Sequence, residues 1–137
     1  MKKRTLIAVC IVYLAVLLRI TVFRSSFSFA NFLQKGTLNL TLLAEYIPLM
    51  QKRRWFRFLY LFVGNIIWFV PFGVLCCCKE RPIKTWKILL WGFLLSFFIE
   101  SMQFIFGTGV SELDDLILNT LGVWIGVIIM KILKKGK

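Results

Sequence analysis

Two carboxylates in this 137-residue chain stand where a carboxylate is expensive: Glu100, inside the apolar run 86–106, and Asp115, at the head of another that ends near residue 133. Each begins or joins a regular series. Gly92, Ser96, Glu100, Gln103 and Gly107 follow at intervals of four, four, three and four, and Asp115, Asn119, Gly122 and Gly126 at four, three and four. Such intervals place each series on one helical face. Paired carboxylates near a membrane surface can serve as general acid and base, hold a divalent cation, or engage a cation or a sugar hydroxyl. Gln103, Asn119 and the intramembrane Asn65 add amides that orient a ligand by hydrogen bonds, and Arg19 adds a balancing cation. The chain has no histidine, so the commonest general base near neutral pH and the commonest metal ligand are missing. Neither an activated nucleophile nor a catalytic signature is evident. Non-enzymatic binding of an amphiphile is therefore the first reading, with no cofactor or metal assigned. An intramembrane enzyme acting on a lipid or lipid-linked sugar through Glu100 and Asp115 is the alternative. A packing role also stands: Arg19 neutralising Glu100, and the amides acting as interhelical glue worth about 1 kcal/mol each.

The elements that must hold these residues are set by composition. Hydrophobic residues make up 59% of the chain, and the mean hydropathy is +0.81. Soluble domains stay near 45–50% apolar, so disorder and a water-soluble enzyme are excluded. Spanning a bilayer takes roughly 20 apolar residues. Four runs qualify, at about 5–23, 58–78, 86–106 and 115–133. The first follows Lys2-Lys3-Arg4 like a signal peptide, but it lacks a small-x-small cleavage site and carries Arg19, so a retained anchor helix is expected. Residues 38–50 include Leu38-Asn39-Leu40-Thr41-Leu42-Leu43, too short to span, and suggest an interfacial or re-entrant segment. The expectation is an all-α bundle of four transmembrane helices forming one domain over 1–137.

Charge supplies an orientation. There are 18 Lys and Arg against 6 Asp and Glu, a formal net of +12, concentrated at the ends of the apolar runs. Topology and anionic headgroups explain that placement better than nucleic acid does. With the N-terminus inside, Lys2, Lys3, Arg4, Lys79, Arg81, Lys84, Lys87, Lys131, Lys134, Lys135 and Lys137 fall on the cytoplasmic side. Arg24, Lys35, Lys52, Arg53, Arg54 and Arg57 fall outside, so a multi-pass cell-membrane protein with both termini cytoplasmic is expected. At 1.5 Å per helical residue, Arg19, Asn65, Glu100 and Asn119 lie about 6–10 Å from helix ends that share one face. A polar pocket of Arg19, Asn65, Glu100, Gln103, Asp115 and Asn119 would then open outward. Pro71 and Gly73 are read as helix-packing residues, Pro71 freeing a backbone carbonyl that can kink the second helix. Gly122-x-x-x-Gly126 permits close helix approach, in a hairpin with the third helix or in a homo-oligomer.

Three blocks, in this order, make the chain resemble the VanZ-like family, named after an accessory teicoplanin-resistance protein of Gram-positive bacteria. They are Leu38-Asn39-Leu40-Thr41; Gly64-Asn65 leading to Phe69-Val70-Pro71-Phe72-Gly73; and Ser96, Glu100-x-x-Gln103, Glu112-Leu113-Asp114-Asp115 and Asn119-Thr120-Leu121-Gly122 with Gly126. The resemblance implies a small polytopic membrane protein linked to low-level resistance to lipoglycopeptides such as teicoplanin, acting at the cell surface. Its ligand would be a membrane lipid, a lipid-linked cell-wall intermediate or the lipoglycopeptide itself. Many members have an arginine in the loop between the third and fourth helices, where this chain has Gly107-Thr108-Gly109-Val110-Ser111. A phosphate there would have to be met by Arg19 or Arg24. The family's namesake also continues into a further hydrophobic segment beyond the position of Lys134-Lys135-Gly136-Lys137.

Overall fold

A computed structural model of the chain describes residues 3–33, 36–78 and 83–136. Lys2, Lys35, Lys79, Arg81 and Lys137, used above for orientation, lie outside the described residues. Four helices are long and apolar enough to cross a membrane: α1 (Lys3–Thr21), α3 (Trp55–Cys77), α4 (Thr85–Phe106) and α5 (Leu113–Lys135). A short helix, α2 (Tyr46–Gln51), precedes α3. Strands β1 (Thr37–Asn39) and β2 (Val110–Glu112) pair in parallel, Thr37 opposite Val110 and Asn39 opposite Glu112.

Local chemistry accounts for the ends of these elements. Helix α4 stops at Gly107, which takes the left-handed conformation at φ 58° and donates its N–H to the carbonyls of Gln103 and Phe104. Glycine adopts that conformation without a Cβ penalty. The chain then extends through β2 and enters α5 at Leu113, two residues before Asp115. Asp114 and Asp115 consequently occupy the first turn, where the helix dipole favours negative charge, and Lys134 and Lys135 occupy the last. Pro71 removes one backbone donor inside α3, yet the helix runs unbroken from 55 to 77.

The tightest packing joins α3 to α5. A Cβ on Gly122 would strike the Ile66 carbonyl, one on Gly126 the Val70 carbonyl, and one on Gly73 the Val123 carbonyl. Three glycines thus bring two backbones together, as small residues do between membrane helices. The Gly122-x-x-x-Gly126 seam faces α3 of the same chain rather than α4, because small-xxx-small spacing specifies closeness and leaves the partner open. The face it offers to a second copy is occupied here by α3. Helix α4 meets α5 instead through Gly92, where a Cβ would lie 3.1 Å from Val123 Cγ1. Leu17, Val22, Phe69, Ile88, Ile99, Val123 and Val127 form the buried core. Helix α1 is the least buried of the four.

Candidate functional site

Every long helix contributes to the polar end of the bundle. Glu100 (4% exposed) sits on the buried face of α4, and its carboxylate accepts the Glu112 backbone N–H at 3.0 Å. Asn65 of α3 donates its amide to the Asp115 carboxylate of α5. Asn119 donates to the Ser96 hydroxyl at 2.8 Å, joining α5 to α4, and Gln103 donates to the Thr21 carbonyl at 3.4 Å, joining α4 to α1. Asn65, Glu100, Gln103, Asp115 and Asn119 are therefore gathered at one end.

Arg19 is not gathered with them. It is exposed, and its guanidinium donates to the Phe23 carbonyl four residues on, so it does not neutralise Glu100. The guanidinium whose field reaches Glu100 is Arg24's. Arg24 Nη1 lies 3.7 Å from where a Cβ on Gly109 would be, beside the glycine-rich loop. Among the described residues the one ion pair is Arg57–Glu45, at 3.4 Å.

The segment between α1 and α3 closes over this end. Asn39 Nδ2 donates to Glu112 Oε1 at 3.0 Å, and Asn39 Oδ1 accepts the Thr41 N–H at 3.2 Å, turning the chain back. Leu43 takes the left-handed conformation at φ 58°, which a branched residue adopts only when its surroundings hold it there. Its N–H donates to Asp114 Oδ2 at 2.7 Å, a charge-assisted bond that does the holding. Tyr46 is buried against Phe58 and Phe62, both edge-on at 5.7 Å. Burial, followed by the Asp115 charge, raises its phenol above the ordinary tyrosine range. Burial likewise raises the Glu112 carboxyl; the Asn39 hydrogen bond opposes this, while Glu45 and Asp114 add to it.

Residue types alone did not point to Leu43, Glu45 or Tyr46. Asn39 stood out only within the Leu-Asn-Leu-Thr block, and its alternation of exposed leucines with a polar residue is the one local sign of a strand. Among the described residues two buried oxygens, Thr108 Oγ1 and Asn119 Oδ1, have no hydrogen-bond partner. Among the described residues no group of three or more Cys, Asp or Glu is arranged to hold a metal ion. The carboxylates instead accept from separate amides.

Beside Glu100 and Glu112 opens a cavity of about 250 Å³. Leu38, Leu40, Phe97, Phe104 and Leu116 wall it, and Glu100 and Glu112 are among its lining residues, so an apolar groove lies beside two acidic side chains where β1, α4 and α5 come together. Such a groove suits a ligand with an apolar body and a polar end.

The chain is similar to known proteins along much of its length. Protein VanZ of Enterococcus faecium is 34% identical to this chain over 65 residues, a stretch that covers 47% of the chain and 40% of that protein. No solved structure matches. The VanZ/LLP1 family profile matches residues 10–134, from the first turns of α1 almost to the end of α5 and so across every residue of the polar end. With so much of its length matched, the chain belongs to the VanZ/LLP1 family.

Proposed function

We propose that this multi-pass membrane protein lowers susceptibility to lipoglycopeptides such as teicoplanin by binding an amphiphile at the polar end of the bundle, facing the cell surface. The observation that carries the reading is the apolar groove that lies beside Glu100 and Glu112. An acyl or other apolar portion lies against Leu38, Leu40 and Phe104, and the carboxylates take a cation or sugar hydroxyls. Asn65 and Asp115 set the position of α5 beneath the site, Asn119 and Gln103 tie α4 to its neighbours, and β1 forms one wall. Family membership supports the resistance role, and the carboxylates' placement among amide donors favours binding over acid–base chemistry.

The test is drug susceptibility in a Gram-positive host expressing wild type, Glu100→Gln, Asp115→Asn or empty vector, with teicoplanin and vancomycin compared. Protection confined to teicoplanin and lost in both variants at unchanged membrane abundance supports the reading. Protection kept in both variants refutes it.

A further inference from the structure

A second cavity, about 690 Å³, lies between α1 and α3, apart from the groove just described. One wall is the end of α1, with Ile20, Thr21 and Arg24; the other is the α3 face that runs from Leu59 through Val63 and Gly64 to Trp68. Helix α1 packs lightly along its length, with only 6% of its span buried. The deep end of the cleft is tied shut where the Tyr13 hydroxyl donates to the Trp68 carbonyl at 2.8 Å. From Leu59 to Trp68 is nine helical steps, about 14 Å at 1.5 Å each. That is about the depth of one leaflet's hydrocarbon, half of roughly 30 Å.

Charge distinguishes the cleft from an ordinary gap between helices. Arg24 stands at its mouth just beyond the end of α1, where a headgroup would sit. Its Nε donates to the Ile20 carbonyl at 3.2 Å, and no carboxylate forms an ion pair with it among the described residues. The remaining guanidinium donors match a phosphate in geometry and sign. Gly64 leaves the middle of the groove open: a Cβ there would meet nothing within 4 Å.

We propose that the cleft between α1 and α3 is a lateral site for an anionic phospholipid, its phosphate held by Arg24 and one acyl chain laid along α3 from Leu59 to Trp68. The site selects the headgroup by charge and the chain by length. Basic pockets between transmembrane helices bind anionic headgroups by this combination.

Native mass spectrometry of the full chain, released from detergent after equilibration with equimolar phosphatidylglycerol and phosphatidylcholine of matched acyl chains, tests it. Wild type is expected to retain phosphatidylglycerol over phosphatidylcholine about five-fold, the size of one interfacial basic contact. Arg24→Gln removes the preference, and Arg24→Lys, which keeps the charge, retains most of it. Gly64→Phe fills the groove and reduces retention of both lipids while the circular dichroism spectrum stays helical. Equal retention of the two lipids by wild type overturns the proposal. A preference that survives in Arg24→Gln, or retention that survives in Gly64→Phe, places the lipid elsewhere and overturns it as well.

Discussion

Gly126→Ala inserts one methyl group into the seam between α3 and α5. The new Cβ would collide with the Val70 carbonyl, 3.0 Å from Val74 N and 3.1 Å from Gly73 Cα. All three obstacles are backbone atoms, so no side-chain rotation relieves the clash and the helices must separate. Overpacking of a well-filled interior costs about 1–3 kcal/mol, and rigid backbone obstacles put this case near the upper end. Alanine recovers about 1 kcal/mol through helix propensity, leaving a net loss of about 2 kcal/mol. Gly64→Ala supplies the control, since its Cβ enters open space. Only the propensity gain applies there, so the two variants should differ by about 3 kcal/mol, the cost of overpacking alone. Reversible unfolding in mixed micelles with increasing dodecyl sulfate, followed by circular dichroism, measures both. Gly73→Ala extends the argument, because its Cβ points into the same seam from the other side. Once one methyl has pushed the helices apart, the second costs less, and a double-mutant cycle should show coupling of about 0.5–3 kcal/mol. Equal stability of Gly126→Ala and Gly64→Ala would refute the seam. A loss that shrinks as the protein is diluted would reassign the glycines to an interface between copies.

At the polar end, Asp114→Asn weakens the charge-assisted bond to the Leu43 N–H and should cost about 1–2 kcal/mol. Faster amide exchange at residues 41–45 would register it, and unchanged exchange would show that the carboxylate is dispensable. For Glu112 the pH dependence has a definite sign. A carboxyl raised by burial favours the proton-bound fold, so its contribution is complete below the ordinary carboxyl value near ~4.3 and is lost as pH rises through the shifted value. The melting temperature should therefore gain from acidification across that window, and Glu112→Gln, neutral throughout, should flatten this part of the profile. Asn65→Leu leaves the Asp115 carboxylate without its amide and should cost about 2–3 kcal/mol. Asn119→Leu should cost less, because an already unpartnered oxygen disappears with the amide; the two unfolding midpoints decide the order.

Much of this arrangement was legible in the residues. Apolar runs long enough to span a bilayer announce the four long helices, and the Ser96–Glu100–Gln103 spacing anticipates a buried polar face on α4. The Asp115–Asn119 spacing likewise anticipates polar ties from α5, which the structure directs to Asn65 of α3 and Ser96 of α4. Partner choice was less visible. Gly122 and Gly126 advertise close approach to some helix, and only three-dimensional packing selects α3, through Gly73. Arg19 is a natural candidate for counter-ion to Glu100, but its helical position lets it reach the Phe23 carbonyl, and among the described residues no cation forms an ion pair with Glu100. The β1–β2 ladder was barely visible, because in three-residue strands the alternation of Leu38, Asn39 and Leu40 is too short to mark a strand or name its partner. Their pairing joins segments more than seventy positions apart, and local propensity does not report a contact at that distance.

That ladder also sets an order of assembly. Asn39 and the Leu43 amide belong to a stretch that leaves the ribosome long before Glu112 and Asp114, the groups that receive their hydrogen bonds. While α1 and α3 are entering the bilayer, the connecting segment has nothing to pair with and its end of the bundle stands open. Only when α5 has followed α4 into place do the two acidic residues arrive to draw β1 and Leu43 inward. Arrival of β2 and the first turn of α5 is thus what shuts the compartment that the first half of the chain began, so a chain halted before residue 110 could insert its helices and still hold no groove.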